Sequence, residues 1–338
     1  RFSEALSFNV MMVLLFLSGL TMFMSGMAAN FEYDLKKIIA LSTLSQLGLM
    51  MSILALGESM LALFHLLMHA LFKALLFMCA GCIIHNLNDC QDIRYMGSLI
   101  NNMPLTGCFF NICNMALCGL PFLSGFYSKD LILEFVSMGY MNLYVYLIFY
   151  LSTGLTVMYT IRLFYYTMMG DFNLVTYFCI KDTSGSMLKG MGGLIFFVIF
   201  GGSLVSWLMF PTPYFICLPM FMKLMVLFVI FLGVIIGYLI SSIGFVDYSK
   251  VLNFYMFSFF YSSMLNLNYL STFGVNYYFL SFGGKLFDYV DQGWSEYFGS
   301  QNLYISFKKS TMLLHQIFNT NIKIFLTLVL IWVCLLVL

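Results

Sequence analysis

Charge is what this sequence has least of. Only 9% of its 338 residues are Asp, Glu, Lys or Arg, where a soluble domain carries about 25%. With 62% of the chain apolar, a water-soluble fold would have too few polar groups to cover its surface. A soluble enzyme, a disordered chain and a secreted disulfide scaffold are excluded. The formal net charge of +1 also excludes the basic patch of a nucleic-acid binder. No Gly-rich phosphate loop follows a strand, no cysteine set is spaced for zinc or an iron–sulfur cluster, and no nucleophile–base pair is recognisable. Cys79 and Cys82 form a C-x-x-C without a second pair, which reads as small buried hydrophobes. What remains is a polytopic membrane protein whose available chemistry is proton binding and release.

Apolar runs of the length a spanning helix needs, about 20 residues, occur at 6–28, 35–57, 60–84, 104–137, 142–168, 188–208, 218–242 and 321–337. The expected fold is therefore all-α, with about eight transmembrane helices. The fourth run is too long for one straight helix and contains Gly119-Leu120-Pro121 and Ser124-Gly125. Proline removes a backbone donor and clashes with the preceding turn, so a kink or break is expected there. A break at bilayer depth is tolerated where it faces protein or a water-filled cavity. The segment 243–320 has no spanning run. Within it, 285–316 sets Leu286, Val290, Trp294, Tyr297, Tyr304 and Leu314 among charges. That pattern predicts an amphipathic lateral helix lying in the interface. Gly293 and Gly299 weaken it, and an irregular surface segment is the alternative.

Because spans alternate in direction, connections alternate between sides. The links 29–37, 86–102, 162–190 and 243–323 carry Lys36, Lys37, Arg94, Arg162, Lys181, Lys189, Lys250, Lys285, Lys308, Lys309 and Lys323. The links 57–60, 138–141 and 209–217 carry no Lys or Arg, and Arg1 alone precedes the first span on that side. By the positive-inside rule the first set faces the cytoplasm or matrix.

The charges left inside spans are the informative ones, since each costs about 2.5–3.5 kcal/mol at the bilayer centre on insertion scales. His65, His69 and Lys73 recur at i, i+4 and i+8, which stacks them on one helix face. Three titratable groups in a row can pass a proton along through bridging waters. A metal site is disfavoured, because this face has no carboxylate or thiolate and its third member is a cation. Lys129, Asp130 and Glu134 follow the helix break. Asp130 and Glu134 share a face, while Lys129 points about 100° away toward a neighbouring helix. The alternative for this cluster is anchoring at the membrane surface. Lys223 lies early in its span and is placed to snorkel to the interface. The stripes Ser42, Ser45, Gln46 and Thr153, Thr156, Thr160 serve either a hydrated path or polar helix packing. His85 and His315 read as interfacial.

Three motifs carry a resemblance: D-L-K-K-I-I-A-L-S-T-L-S-Q-L-G-L-M at 34–50, H-x-x-x-H-A-L-F-K-A-L-L-F-M at 65–78, and L-P-F-L-S-G-F-Y-S-K-D at 120–130. They resemble the chain 5 family of mitochondrial NADH:ubiquinone oxidoreductase, respiratory complex I. D-Q-G-W-S-E-Y-F-G at 291–299 looks like the insect-type version. The resemblance implies an antiporter-like proton-translocating subunit of the mitochondrial inner membrane. Its partners would be adjacent antiporter-like subunits, other membrane-arm subunits and the lipid bilayer. It implies that 1–170 is the second five-helix repeat, with 104–137 as its broken helix. Residues 171–242 would be two further transmembrane helices, 243–320 a matrix-side segment with the lateral helix, and 321–338 a C-terminal anchor. Lys129 falls on the family's broken-helix lysine with Asp130 beside it, and His65, His69 and Lys73 fall on its central polar row. The first repeat has no counterpart here, so an N-terminally incomplete sequence is expected. No cofactor is expected in this chain, since NADH, FMN, iron–sulfur clusters and ubiquinone would be bound by other subunits. A subunit of a multi-subunit cation/proton antiporter is the nearest rival. A bis-histidine haem protein is disfavoured because His65 and His69 share one helix, and a scaffold role stays open for the lateral segment.

Overall fold

The computed structural model describes residues 3–139, 143–174, 180–182, 185–242 and 254–338. Arg1 and Lys250, two of the cations placed above, lie outside them. The described residues are almost wholly helical and contain no strand, only an isolated antiparallel bridge between Asp34 and Asp92. The chain divides into two compact units, 1–265 and 266–338.

The first unit is a helix bundle. Its elements are α1 (Phe8–Phe31), α2 (Leu35–Ala55), α3 (Ser59–Asn86), α4 (Leu99–Asn102), α5 (Pro104–Cys118), α6 (Ser124–Met138), α7 (Leu143–Phe164), α8 (Gly185–Met209), α9 (Met220–Ser242) and α10 (Tyr255–Ser262). Helices are the natural solution for such apolar runs, because every internal backbone group is paired within the segment. α1 packs along α2 and α7; α3 is held between α2, α5, α6 and α8; α9 lies against α7. The sequence-derived spans match these helices closely, and the chain is a multi-pass membrane protein. The expected count is about eight transmembrane helices, one of them broken. Six described helices have the length and hydropathy to cross a membrane. α5 and α6 have 15 residues each, roughly 22 Å apiece, each short of the hydrocarbon core of about 30 Å. The last helix, Ile322–Val337, has 16 residues, about 24 Å.

The break is built from local chemistry. Pro104 sits in the first turn of α5, where its missing N–H costs nothing. Gly119 ends the helix in the left-handed region at φ 82°. Its N–H donates to the Ala116 carbonyl (3.1 Å) and that of Leu120 to Met115 (3.2 Å), the paired bonds of a Schellman cap. Pro121 then prevents continuation, and α6 restarts at Ser124.

The cation-bearing links of this unit meet at one end of the bundle. Leu35 N–H donates to the Gln91 carbonyl and Ile93 N–H to that of Tyr33. The Arg94 and Arg162 guanidiniums lie 4.3 and 4.8 Å from the Tyr33 ring centre. Asp182 accepts from Leu105 N–H and Thr106 Oγ1. Burial raises the Glu32 carboxyl above the usual carboxylate range, against the opposing effect of Lys37. At the opposite end, Tyr214 donates to Glu58 (3.0 Å), joining two links that carry no Lys or Arg. Burial and the Glu58 carboxylate push the Tyr214 phenol up to about 12. Two ends with opposite cation content are what the alternation of links required.

Arg162 departs from its expected place in a surface link. It is buried in the last turn of α7 and donates to the carbonyls of Glu32 (2.8 Å) and Ala29 (3.5 Å) at the end of α1. Those carbonyls have no partner further along the helix. Arg162→Met is expected to destabilise the bundle by about 2–3 kcal/mol, read as a lowered unfolding midpoint in detergent. An unchanged midpoint would show that the two carbonyls find other donors.

In the second unit a helix runs from Leu267 to Thr320, starting well before the expected 285. The chain then turns by 116° into Ile322–Val337. The segment is helical rather than irregular, and the flagged glycines mark its irregularities. π-type turns occupy Phe287–Ser295 and Tyr297–Gln301, and Gly299 has non-helical angles (φ −96°, ψ −109°). His315 and Cys334 are exposed here.

Candidate functional site

The intramembrane charges converge on the bundle interior. His65, His69, Lys73 and Lys129 are all buried, with Lys73 and Lys129 each only 4% exposed. Surface anchoring is therefore not what Lys129 does.

α3 lines up the first row. The Lys73 ammonium donates to Ser42 Oγ on α2. His69 follows one turn away, within electrostatic reach of Lys73, and its ring centre is 6.2 Å from that of His65. His65 is held at both ring nitrogens: Nδ1 is 2.9 Å from Ser128 Oγ on α6, and Nε2 is 3.2 Å from Gln46 Oε1 on α2. A neutral imidazole donates to Gln46 and accepts from Ser128; a charged one donates to both. The same geometry serves either protonation state. His69 Nε2 has no hydrogen-bond partner among the described residues, and buried nitrogens of this kind are commonly satisfied by internal water.

The helix break places the second cluster. Lys129 lies in the second turn of α6, and its stem passes Gly119, where an added Cβ would touch Lys129 Cδ at 3.6 Å. Its amine reaches Thr156 Oγ1 on α7 (2.9 Å) and the Leu117 carbonyl (3.4 Å). That carbonyl is available because the α5 cap satisfies its neighbours and not Leu117. Among the described residues, no carboxylate forms an ion pair with Lys73 or Lys129. Both amines rest on neutral acceptors, and a hydroxyl such as Thr156 can accept from an ammonium or donate to an amine.

Asp130 and Glu134 are half-buried on another face of α6, as their spacing required. The charge acting on both is Lys223 of α9, which is exposed near the cation-poor end. Asp130 and Lys129 share a cavity of ≈ 10 Å³ with Gly119 and Thr153, about the room of one water. The structure thus joins Lys223 to a cluster from which sequence reasoning had kept it apart. It also adds Ser128, which the sequence reading passed over although it adjoins Lys129. Of the two polar stripes, Ser42 and Gln46 contact the row, Thr156 contacts Lys129, and Thr160 pairs with Cys118 at 2.9 Å. Ser45 and Thr153 bond back to their own helices. His85 is exposed, as an interfacial residue should be. Among the described residues no group of three or more His, Cys, Asp or Glu is placed to hold a metal ion.

Comparison with known proteins covers nearly the whole chain. Residues 159–338 match the family model described as NADH dehydrogenase subunit 5 C-terminus. Residues 2–156 match the model described as NADH:quinone oxidoreductase/Mrp antiporter, transmembrane. NADH-ubiquinone oxidoreductase chain 5 of Aedes aegypti is 55% identical over 96% of this chain and 56% of its own length. The Locusta migratoria protein of the same name is 52% identical over 94% of this chain and 56% of its own length. The Phoca vitulina protein of that name is 39% identical over 70% of this chain and 39% of its own length. The chain thus spans little more than half the length of the insect relatives. Among solved structures, a chain of the Mrp complex from Dietzia sp. DQ12-45-1b is similar in fold, with a TM-score of 0.60 and 19% identity over 82% of this chain and 31% of that one.

Proposed function

Since this chain belongs to the NADH dehydrogenase subunit 5 family, we propose that it is part of a core membrane subunit of the proton-translocating NADH:ubiquinone reductase, respiratory complex I, in the mitochondrial inner membrane. The observation that carries this reading is the buried polar file across α2, α3, α6 and α7, in which His65 rests on partners that suit both of its protonation states and the Lys73 and Lys129 amines rest on neutral acceptors. A proton entering from the cation-bearing end, the matrix side by charge bias, reaches Lys73 and passes by way of His69 to His65 and Ser128. Lys129 then holds it beside the helix break. Asp130, Glu134 and Lys223 lead toward the cation-poor end. The driving change arises in other subunits, which hold NADH, FMN, the iron–sulfur clusters and ubiquinone. This chain contributes no redox group. Moving one charge across the membrane is worth about 2.3 kcal/mol per 100 mV, so each stroke needs a change of that size in the surroundings of Lys129.

The rival reading, a stand-alone cation/proton antiporter subunit, is favoured by the shared fold alone. Purification through a tag on the full-length protein separates the two. The expected preparation oxidises NADH with quinone and acidifies vesicles without sodium. A preparation lacking NADH:quinone activity but exchanging sodium for protons would overturn the proposal.

A further inference from the structure

The C-x-x-C of α3 meets a matching pair of thioethers on α8. Cys79 Sγ lies 3.6 Å from Met191 Sδ, and Cys82 Sγ lies 3.3 Å from Met187 Sδ. The helices run antiparallel here, so i, i+3 thiols on one face i, i+4 thioethers on the other as two rungs. Cys79, Met191 and Cys113 of α5 are fully buried, and Cys82 is nearly so. Met187 is only half-buried, and it lies close to the cation-bearing end, which gives an ion a way in. We propose that these sulfurs form a binding site for a soft monovalent cation, Cu(I), held by the Cys79 and Cys82 sulfurs together with Met187 and Met191.

Thiolate and thioether donors select Cu(I), whereas the hard and borderline divalent ions need carboxylate, imidazole or several thiolates. No such group lies among these four residues. Cys79 and Cys82 stand three residues apart, a helical rise of about 4.5 Å, and both thiols meet thioethers of α8. Charge selects how it binds. Cu(I) displaces one thiol proton, which leaves to solvent; one positive charge enters and one departs, and no net charge is buried. The site adjoins the proton file, because Cys113 is within electrostatic reach of both Cys79 and Lys73. This proposal is independent of the proton-transfer reading.

The test uses the full-length protein in its purified membrane complex, reduced and equilibrated with Cu(I) buffered by bathocuproine disulfonate. The expected result is one Cu(I) retained per chain, with an X-ray absorption spectrum showing an all-sulfur first shell. Cys79→Ser with Cys82→Ser removes it, and Met187→Leu with Met191→Leu weakens retention on the order of tenfold. Nitrogen or oxygen in the first shell, or retention by the thiol double variant equal to wild type, would overturn the site. If the thiol variant fails to assemble, the wild-type spectrum and the methionine variant decide it.

Discussion

Lys129→Met in the full-length subunit is expected to slow proton translocation on the order of a hundredfold while leaving the complex assembled. Methionine fills nearly the same space and leaves Thr156 and Leu117 with no amine to bind. An excess proton at that depth then has no carrier and meets a charge-insertion cost of about 2.5–3.5 kcal/mol, which corresponds to that loss of rate. Coupled NADH oxidation should fall with it, and uncoupler should not restore it if the carrier step limits turnover. The measurements are the proton-to-electron ratio and turnover in reconstituted vesicles, with native gels to verify assembly. An unchanged ratio at unchanged turnover would remove Lys129 from the path. Thr156→Val should give a smaller defect, because the Leu117 carbonyl remains.

Gly125→Ala is expected to be the most damaging small substitution. A Cβ at this position would lie 1.8 Å from the Ala116 carbonyl oxygen and 2.8 Å from its carbon. Both sides of the contact are backbone, so the two half-helices must move apart. The cost should reach about 3 kcal/mol or more, and the chain should be lost from the assembled membrane fraction or melt far below wild type. Gly190→Ala in α8 is the control. Nothing lies within 4 Å of the place its methyl would occupy, so it should be neutral or stabilise by about 0.5–1 kcal/mol through helix propensity. A Gly125→Ala protein that melts like wild type would mean that α5 and α6 are not packed this closely.

What the sequence made legible follows from length scales. Spans are long apolar runs, and hydropathy finds them without knowledge of their neighbours. The break was legible because Pro121 acts on its own backbone. The row His65–His69–Lys73 was legible because it repeats along one helix. Contacts between helices were not. That His65 would take Ser128 on one side and Gln46 on the other depends on how α2, α3 and α6 are rotated against each other. So does the approach of Lys223 to Asp130 and Glu134, and the seating of Cys82 on Met187. The helix from Leu267 was also missed over its first part, where Asn, Tyr and Ser interrupt the apolar pattern. Local hydrogen bonds carry it there, since none of its residues is buried.

That helix converts sequence position into angle. Each residue turns the chain by about 100° and advances it by about 1.5 Å, so over more than fifty residues a small change in count becomes a large change in aim. Substituting a side chain between 267 and 320 alters one point on the surface. Inserting or deleting a residue rotates everything beyond it to a different side. The π-type stretches at Leu270–Gly274, Phe287–Ser295 and Tyr297–Gln301 are such phase steps already built in. The segment is therefore free to change its residues and bound to keep their number.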